Sequence, residues 1–267
     1  MKHKKVVVVL VAVLAMTLGS LGVGNAIVFG WPDGDDHPYV GLMVADVDGE
    51  PAWRCSGTLI APTVFLTAGH CVYGATAARV WFDTDLTTNT EYPRGGETSI
   101  EGTPIPHPNF DGTLAFPNTS DVGLVILDQP VTDLGFGELP AIDLAEELNS
   151  APGIEAIVNI VGYGRQQIKP EDISLRVRYQ ATPMLVELGG AIYSGGWSLH
   201  LSSNPGEGGG TGGTCFGDSG GPALASTESN VVLGVGSFVF NSNCRGVGYY
   251  YRVDTEYAQD FIYANMP

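Results

Sequence analysis

The sequence predicts an all-β protein, a sandwich or a barrel, and three features of its pattern carry that expectation. Short β-type runs recur every ten or so residues, Gly, Pro, Asp and Asn separate them, and no long amphipathic helix interrupts them between residues 38 and 253. The chain has 267 residues with 37 Gly, 17 Pro and 44% hydrophobic residues. That is ample apolar material for the core of a loop-rich molecule, and too much for a disordered one.

Taken in order, the first segment stands apart. Lys2, Lys4 and Lys5 precede an apolar run over 6–18, and small residues at Gly24 and Ala26 follow. This is the layout of a secretory signal peptide over 1–26, which leaves 27–267 as an exported protein. An uncleaved membrane anchor is the other reading, but the apolar run is shorter than the ~20 residues that a span needs. Strands are expected over 39–45, 53–60, 64–68, 78–82, 122–127, 154–161, 174–179, 198–202, 231–240 and 247–253. A short helix is possible near 144–148, and 255–264 reads as a helix with Tyr257, Phe261 and Ile262 or Ala264 on one face. A break near 150–153 would divide the β material into halves, about 27–150 and 151–253, with the helix at about 254–265.

Asp and Glu number 29 against 12 Lys and Arg, a formal charge of −17. Losing the three leader lysines makes the remainder more acidic still. Such a surface repels nucleic acid and anionic membrane, so neither is expected as a partner once the signal is removed. Four Cys in an exported chain suggest two disulfides, with three connectivities possible, and pairing is expected within Cys55/Cys71 and within Cys215/Cys244. Their spacing does not suit a metal site, and no metal or cofactor is expected. The acidic run Asp33-Gly-Asp-Asp36 could hold a hard cation, but it reads first as an ordinary acidic turn. Asn118-Thr-Ser120 fits a glycosylation acceptor and is taken as coincidence. The Gly-rich run over 206–213 lacks the Lys-Ser/Thr ending of a phosphate loop and reads as a flexible loop.

The chemistry concentrates in Gly213-Thr-Cys-Phe-Gly-Asp-Ser-Gly-Gly-Pro222. Ser219 is the candidate nucleophile. A serine hydroxyl is weak at its own pKa and needs a base to take its proton and backbone donors to hold the oxyanion. Gly217, Gly220 and Gly221 allow a tight turn in which the N–H groups of Gly217 and Ser219 converge. A plain surface turn is the bland alternative. A nucleophile elbow of the α/β-hydrolase type would need a strand before the serine and a helix after it, and the Gly-rich approach and Gly220-Gly221-Pro222 refuse both.

Of five His, His70 in Leu66-Thr-Ala-Gly-His-Cys71 is the candidate base, because a disulfide at Cys71 could hold it rigidly. His3 goes with the signal, and His37, His107 and His200 read as structural or solvent-facing. Asp121 opens the apolar run Asp121-Val-Gly-Leu-Val-Ile-Leu127, which would carry its charge below the surface, where it must find a partner. It is the candidate orienter for the far nitrogen of the base.

Cys55-Ser-Gly-Thr-Leu-Ile-Ala-Pro-Thr-Val-Phe-Leu-Thr-Ala-Gly-His-Cys71, Asp121-Val-Gly-Leu124, Gly162-Tyr-Gly164 and Cys215-Phe-Gly-Asp-Ser-Gly-Gly-Pro222, in that order, resemble the chymotrypsin (trypsin-like, S1) serine endopeptidases. The resemblance implies two packed antiparallel β-barrels with the site between them and a short C-terminal helix. It implies His70 as general base, Asp121 as orienter, Ser219 as nucleophile, Gly217 and Ser219 as the oxyanion hole, and protein or peptide substrates for an expected monomer. A catalytically inactive binding protein of the same fold is the alternative, and an exported esterase of another fold a remoter one.

The resemblance also implies activation by a new N-terminus that folds inward. Ile27-Val-Phe-Gly30 directly follows the expected signal cut, so removal of the signal would itself free Ile27 to pair with Asp218. For the pocket that receives the residue before the cleaved bond, it implies Gly213 on the floor with Thr214 beside it. Walls would come from Ser237, Phe238, Val239 and Gly248. With no Asp on that floor and Val239 at the entrance, small or medium apolar residues are expected there rather than Arg or Lys.

Overall fold

The structure is a computed structural model, and it describes residues 27–151, 156–189, 195–203 and 211–267. The expected signal segment, the break near 152–153 and residues 206–210 of the Gly-rich run lie outside the described residues.

The first lobe is a closed six-stranded antiparallel barrel. Its strands are β2 (Val40–Val47), β3 (Glu50–Ala61), β4 (Val64–Thr67), β5 (Ala77–Trp81), β6 (Ile100–Pro106) and β7 (Gly123–Leu127), joined in the order β2-β3-β4-β7-β6-β5. Alternation fails in β2 and β4, which are buried along almost their whole length, because closing the sheet puts a core inside and the second lobe outside. Val40, Met43, Leu59, Phe65, Leu66, Val80 and Leu124 meet in one core cluster. Burial of this kind contributes about 25 cal/mol per Å² of apolar surface.

The second lobe is an eight-stranded antiparallel sheet that stops short of closing. Its members are β1 (Trp31–Pro32), β8 (Asn159–Gly162), β9 (Tyr179–Ala181), β10 (Leu185–Leu188), β11 (Ser198–Ser202), β12 (Pro222–Leu224), β13 (Val232–Val239) and β14 (Val247–Arg252). They run in the order β1-β9-β8-β12-β13-β14-β11-β10. The first described residues thus belong to this lobe and not to the barrel that follows them. Trp31 pairs with Gln180, Val28 bridges Gly213, and the Ile27 side chain is fully buried among Ile160, Leu199, Ala223 and Tyr250.

Among the described residues three helices accompany the sheets, α1 (Gly69–Val72), α2 (Leu144–Ser150) and α3 (Glu256–Ala264). Thr255 caps α3 by accepting the Ala258 N–H, and Phe261 and Ile262 turn inward, as the apolar spacing of that segment requires. No helix among the described residues is long and apolar enough to cross a membrane.

A buried ionic knot ties the lobes together beside β1. Arg178, fully buried, donates to Asp33 at 2.8 Å and to the carbonyls of Val40 and Phe82 in the barrel. Asp33 also meets His37 Nδ1 at 2.5 Å. Burial alone would raise the Asp33 pKa, but the hydrogen bonds from His37 and Arg178 outweigh it and hold the carboxyl below its ordinary range. The acidic run is therefore divided among protein partners, with Asp35 taking a hydrogen bond from Thr84 and Asp36 one from Gln180. His37, His107 and His200 are all buried, and His200 meets Glu187 at 2.9 Å.

Candidate active site

The cleft between the lobes gathers the residues singled out above. β4 ends at Thr67 and the chain turns at once through α1, so His70 sits in a single helical turn rather than at the end of a strand. The structure joins Cys55 to Cys71 by a disulfide, which fastens that turn to β3. Cys55, Cys71 and His70 bring their ligand atoms within 4.8 Å of one another, but both sulfurs are committed to the disulfide, so the group cannot hold a metal as it stands.

Asp121 is fully buried just before β7. Its Oδ1 accepts the backbone N–H of His70 at 2.8 Å, and its Oδ2 lies 2.9 Å from His70 Nδ1. Ser120 before it stands at φ +50°, a left-handed conformation rare for a residue with a side chain. The Asn118 amide oxygen holds it there by accepting from Ser120 N and from the Tyr251 hydroxyl, both at 2.9 Å. The Ser120 hydroxyl meets Tyr257 on α3 at 2.9 Å. The Asn118 side chain thus has a structural task in the loop that presents Asp121.

The electrostatics follow from burial and pairing. Burial disfavours a charge on His70, yet the adjacent Asp121 carboxylate outweighs it and holds the imidazole pKa above its ordinary value. Burial likewise opposes the charge on Asp121, and attraction to His70 with hydrogen bonds from His70 and Ser237 holds that carboxyl below its ordinary value.

Ser219 comes from the other lobe. Gly217 at φ +98° and Gly220 at φ +78° turn the loop, and a Cβ on Gly220 would fall 2.0 Å from the Thr67 hydroxyl and 2.5 Å from the Ser56 carbonyl. The loop is docked on β3: Ser56 donates its N–H to the Ser219 carbonyl at 2.8 Å and its hydroxyl to the Gly217 carbonyl at 2.9 Å. Those carbonyls therefore face the protein. Among the described residues, neither the Gly217 nor the Ser219 N–H donates to a protein acceptor. A second disulfide joins Cys215 to Cys244 behind the loop.

His70 and Ser219 both line a cavity of about 200 Å³. No hydrogen bond joins them among the described residues, a loose geometry common before substrate binds. Of the expected pocket residues, Thr214, Ser237, Phe238 and Val239 line this cavity, together with Cys215, Phe216 and Gly236. Gly213 and Gly248 do not line it. They pack behind it, because the space a Cβ would need at Gly213 is taken by the Ser203 side chain and at Gly248 by the Thr214 methyl. Ser237 does more than form a wall, since its hydroxyl donates to Asp121 Oδ2 at 2.5 Å. A lone Ser in an apolar strand gave no sign of that partner.

Asp218 is buried beneath the loop and accepts the N–H groups of Gly164 at 2.7 Å and Cys215 at 2.8 Å. Gly164 has to be glycine here, since a Cβ would fall 2.4 Å from the carboxyl carbon. Burial pushes the Asp218 pKa up to about 7 despite these donors.

Two lobes of β-sheet with a His, an Asp and a Ser gathered in the cleft between them define a protein of the serine-protease type. The chain belongs to the trypsin family, whose profile matches residues 34–262. It is 26% identical over 218 residues to trypsin eta of Drosophila erecta, covering 79% of this chain and 77% of that one. It is 26% identical over 161 residues to the CLIP domain-containing serine protease HP8 of Bombyx mori, and 25% identical over 218 residues to the serine protease ea of Drosophila melanogaster. The first match covers 54% of this chain and the second 74%, and the chain spans 42% and 55% of those relatives' own lengths. Among solved structures, an HL collagenase superposes with a TM-score of 0.68 at 21% identity, over 90% of this chain and 98% of the other. A human heparin binding protein superposes at 0.64 and 17% identity, with the same coverage. Both show a shared fold.

Proposed function

We propose that this protein is a secreted serine endopeptidase, with Ser219 as nucleophile, His70 as general base and Asp121 as the group that orients and charges the base. The observation that carries this reading is the meeting of the His70–Asp121 pair and Ser219 at one cavity, beside two backbone N–H groups with no acceptor among the described residues. Ser219 would attack the substrate carbonyl while His70 takes its proton, and the developing oxyanion would take the N–H groups of Gly217 and Ser219. His70 would then return the proton to the leaving amine, and water would release the acyl group by the same steps.

Small or medium apolar side chains suit the cavity. Phe216, Phe238 and Val239 supply apolar walls, and none of the described residues lining it is an acid that would attract Arg or Lys. Cleavage before Ile27 would switch the enzyme on. The Ile27 side chain already fills the second-lobe core, and an ammonium at its nitrogen would add a countercharge for the buried Asp218, whose pKa stays raised despite the charge of Arg54.

Labelling with a fluorophosphonate serine probe, then intact-mass and N-terminal analysis, tests the reading. Wild type beginning at Ile27 should label once, at Ser219, and Ser219→Ala should not label. A folded chain beginning at Ile27 that does not label would make it a binding protein of this fold.

A further inference from the structure

Across Ser219 from the cavity, the rim of the cleft is cationic. Arg54 lies on β3, two residues before the Ser56 that clasps the nucleophile loop. Its Nε and Nη2 stand 3.4 and 3.5 Å from the point that a Cβ on Gly217 would occupy. It donates to a neutral group, the Ser174 hydroxyl, at 2.7 Å, and its charge also acts on the buried Asp218. Among the described residues no carboxylate reaches ion-pair distance of it, although the chain carries 29 acids and Arg79, Arg94, Arg165, Arg178 and Arg252 each have one. Arg165 continues the rim, with its guanidinium 5.7 Å from the centre of the half-exposed Phe216 ring. Asp172 pairs with it at 2.7 Å and takes up part of its charge.

The direction of a bound peptide follows from the cavity. The side chain before the scissile bond enters between Phe216 and Val239, and its carbonyl oxygen turns to Gly217 N–H. The departing segment must then run away from the cavity, past Gly217 toward β3, where Arg54 waits. We propose that Arg54, with Arg165 as a weaker outer contributor, selects substrates carrying a carboxylate side chain within the first two residues after the scissile bond. This rests on the peptidase reading above. The net negative charge of the molecule does not oppose it, because at physiological salt charges more than about 8 Å away are largely screened. A guanidinium at the cleft itself is not, and its planar fork suits a carboxylate.

The test uses peptides with one acyl half and Asp, Ala or Lys at each of the two positions after the bond, and reads the Asp-to-Lys ratio of kcat/KM within each protein. Wild type should favour Asp by roughly five- to tenfold, the size expected of a partly exposed charge pair, and less as salt is raised. Arg54→Gln should bring the ratio close to one. The same peptides are also titrated onto Ser219→Ala protein, where an affinity ratio of the same sense is expected without any turnover. Fluorophosphonate labelling reports separately on the peptidase reading. A wild-type ratio near one or favouring Lys, in both rate and affinity, overturns the proposal, and so does an Asp preference that survives undiminished in Arg54→Gln.

Discussion

Ser237 and Asp121 join the two lobes at a fully buried carboxylate. The Ser237 hydroxyl, on β13 of the second lobe, donates at 2.5 Å to Oδ2 of Asp121, the oxygen that also faces His70 Nδ1 from the first lobe. One carboxylate is thus shared between His70 and a strand of the opposite sheet.

Ser237→Ala should lower kcat roughly 10- to 100-fold, in line with the loss of a hydrogen bond to a charged group, while leaving the fold intact. Steady-state kinetics beside a thermal unfolding curve would check this. A variant as fast as wild type would mean that His70 alone is enough to hold Asp121.

Asp121 raises the His70 pKa against burial, which lowers it. The base must be neutral to act, so kcat/KM should rise with pH through a midpoint above about 6.5, the ordinary histidine value. Asp121→Asn removes the raising influence and leaves burial, so the midpoint should fall below that value while kcat drops about 10⁴-fold. A pH–rate profile of both proteins reads the two shifts, and a midpoint that stays put would separate Asp121 from the base.

Blocking Ile27 should leave the enzyme off. With its amine acylated or extended, Asp218 keeps the raised pKa of about 7, because burial outweighs its backbone donors and the charge of Arg54. With the amine free, pairing raises the ammonium pKa above its ordinary value of about 7.7–8.0. A raised group of this kind stabilises the folded loop below its unfolded pKa, and the contribution is lost as pH rises through the folded one. Activity of the chain beginning at Ile27 should therefore fall off at alkaline pH. A blocked chain should be inactive throughout, and full activity in it would dismiss the activation scheme.

Arg178→Leu should cost about 3–5 kcal/mol of stability, because the buried Asp33 would lose its guanidinium and keep only His37. In wild type the depressed Asp33 pKa contributes stability above about 3.8, and that contribution is lost as pH falls through the lower, folded value. Urea unfolding at neutral and acid pH would show the wild-type advantage shrinking toward the acid end.

What could be read in the sequence was what is local. His70, Asp121 and Ser219 each sit in a short run whose glycines, cysteine or apolar strand announce their setting, and the strand over 198–202 and the helix beginning after Thr255 are found where the pattern puts them. β6 was missed because Pro104 and Pro106 argue against a strand. They are tolerated because β6 pairs with β5 through residues 100–102 alone, so the prolines face a single neighbour. Residues 174–178 were read as strand, but the ladder there begins at Tyr179, and Arg176 and Arg178 are spent instead on hydrogen bonds to backbone carbonyls and to Asp33. The bonds of Ser237 to Asp121 and Arg178 to Asp33 span more than a hundred residues, and no local pattern encodes them.

The strand β1 is made before any of the sheet that it completes. Trp31 must wait for Gln180, so a segment made early docks among the last. A lobe expressed alone from residue 151 onward would lack this edge and the Ile27 plug. The two lobes are consequently not interchangeable modules, and a chimera that swaps the second one must bring the matching segment around Ile27 and Trp31 with it, although the whole barrel separates the two in sequence.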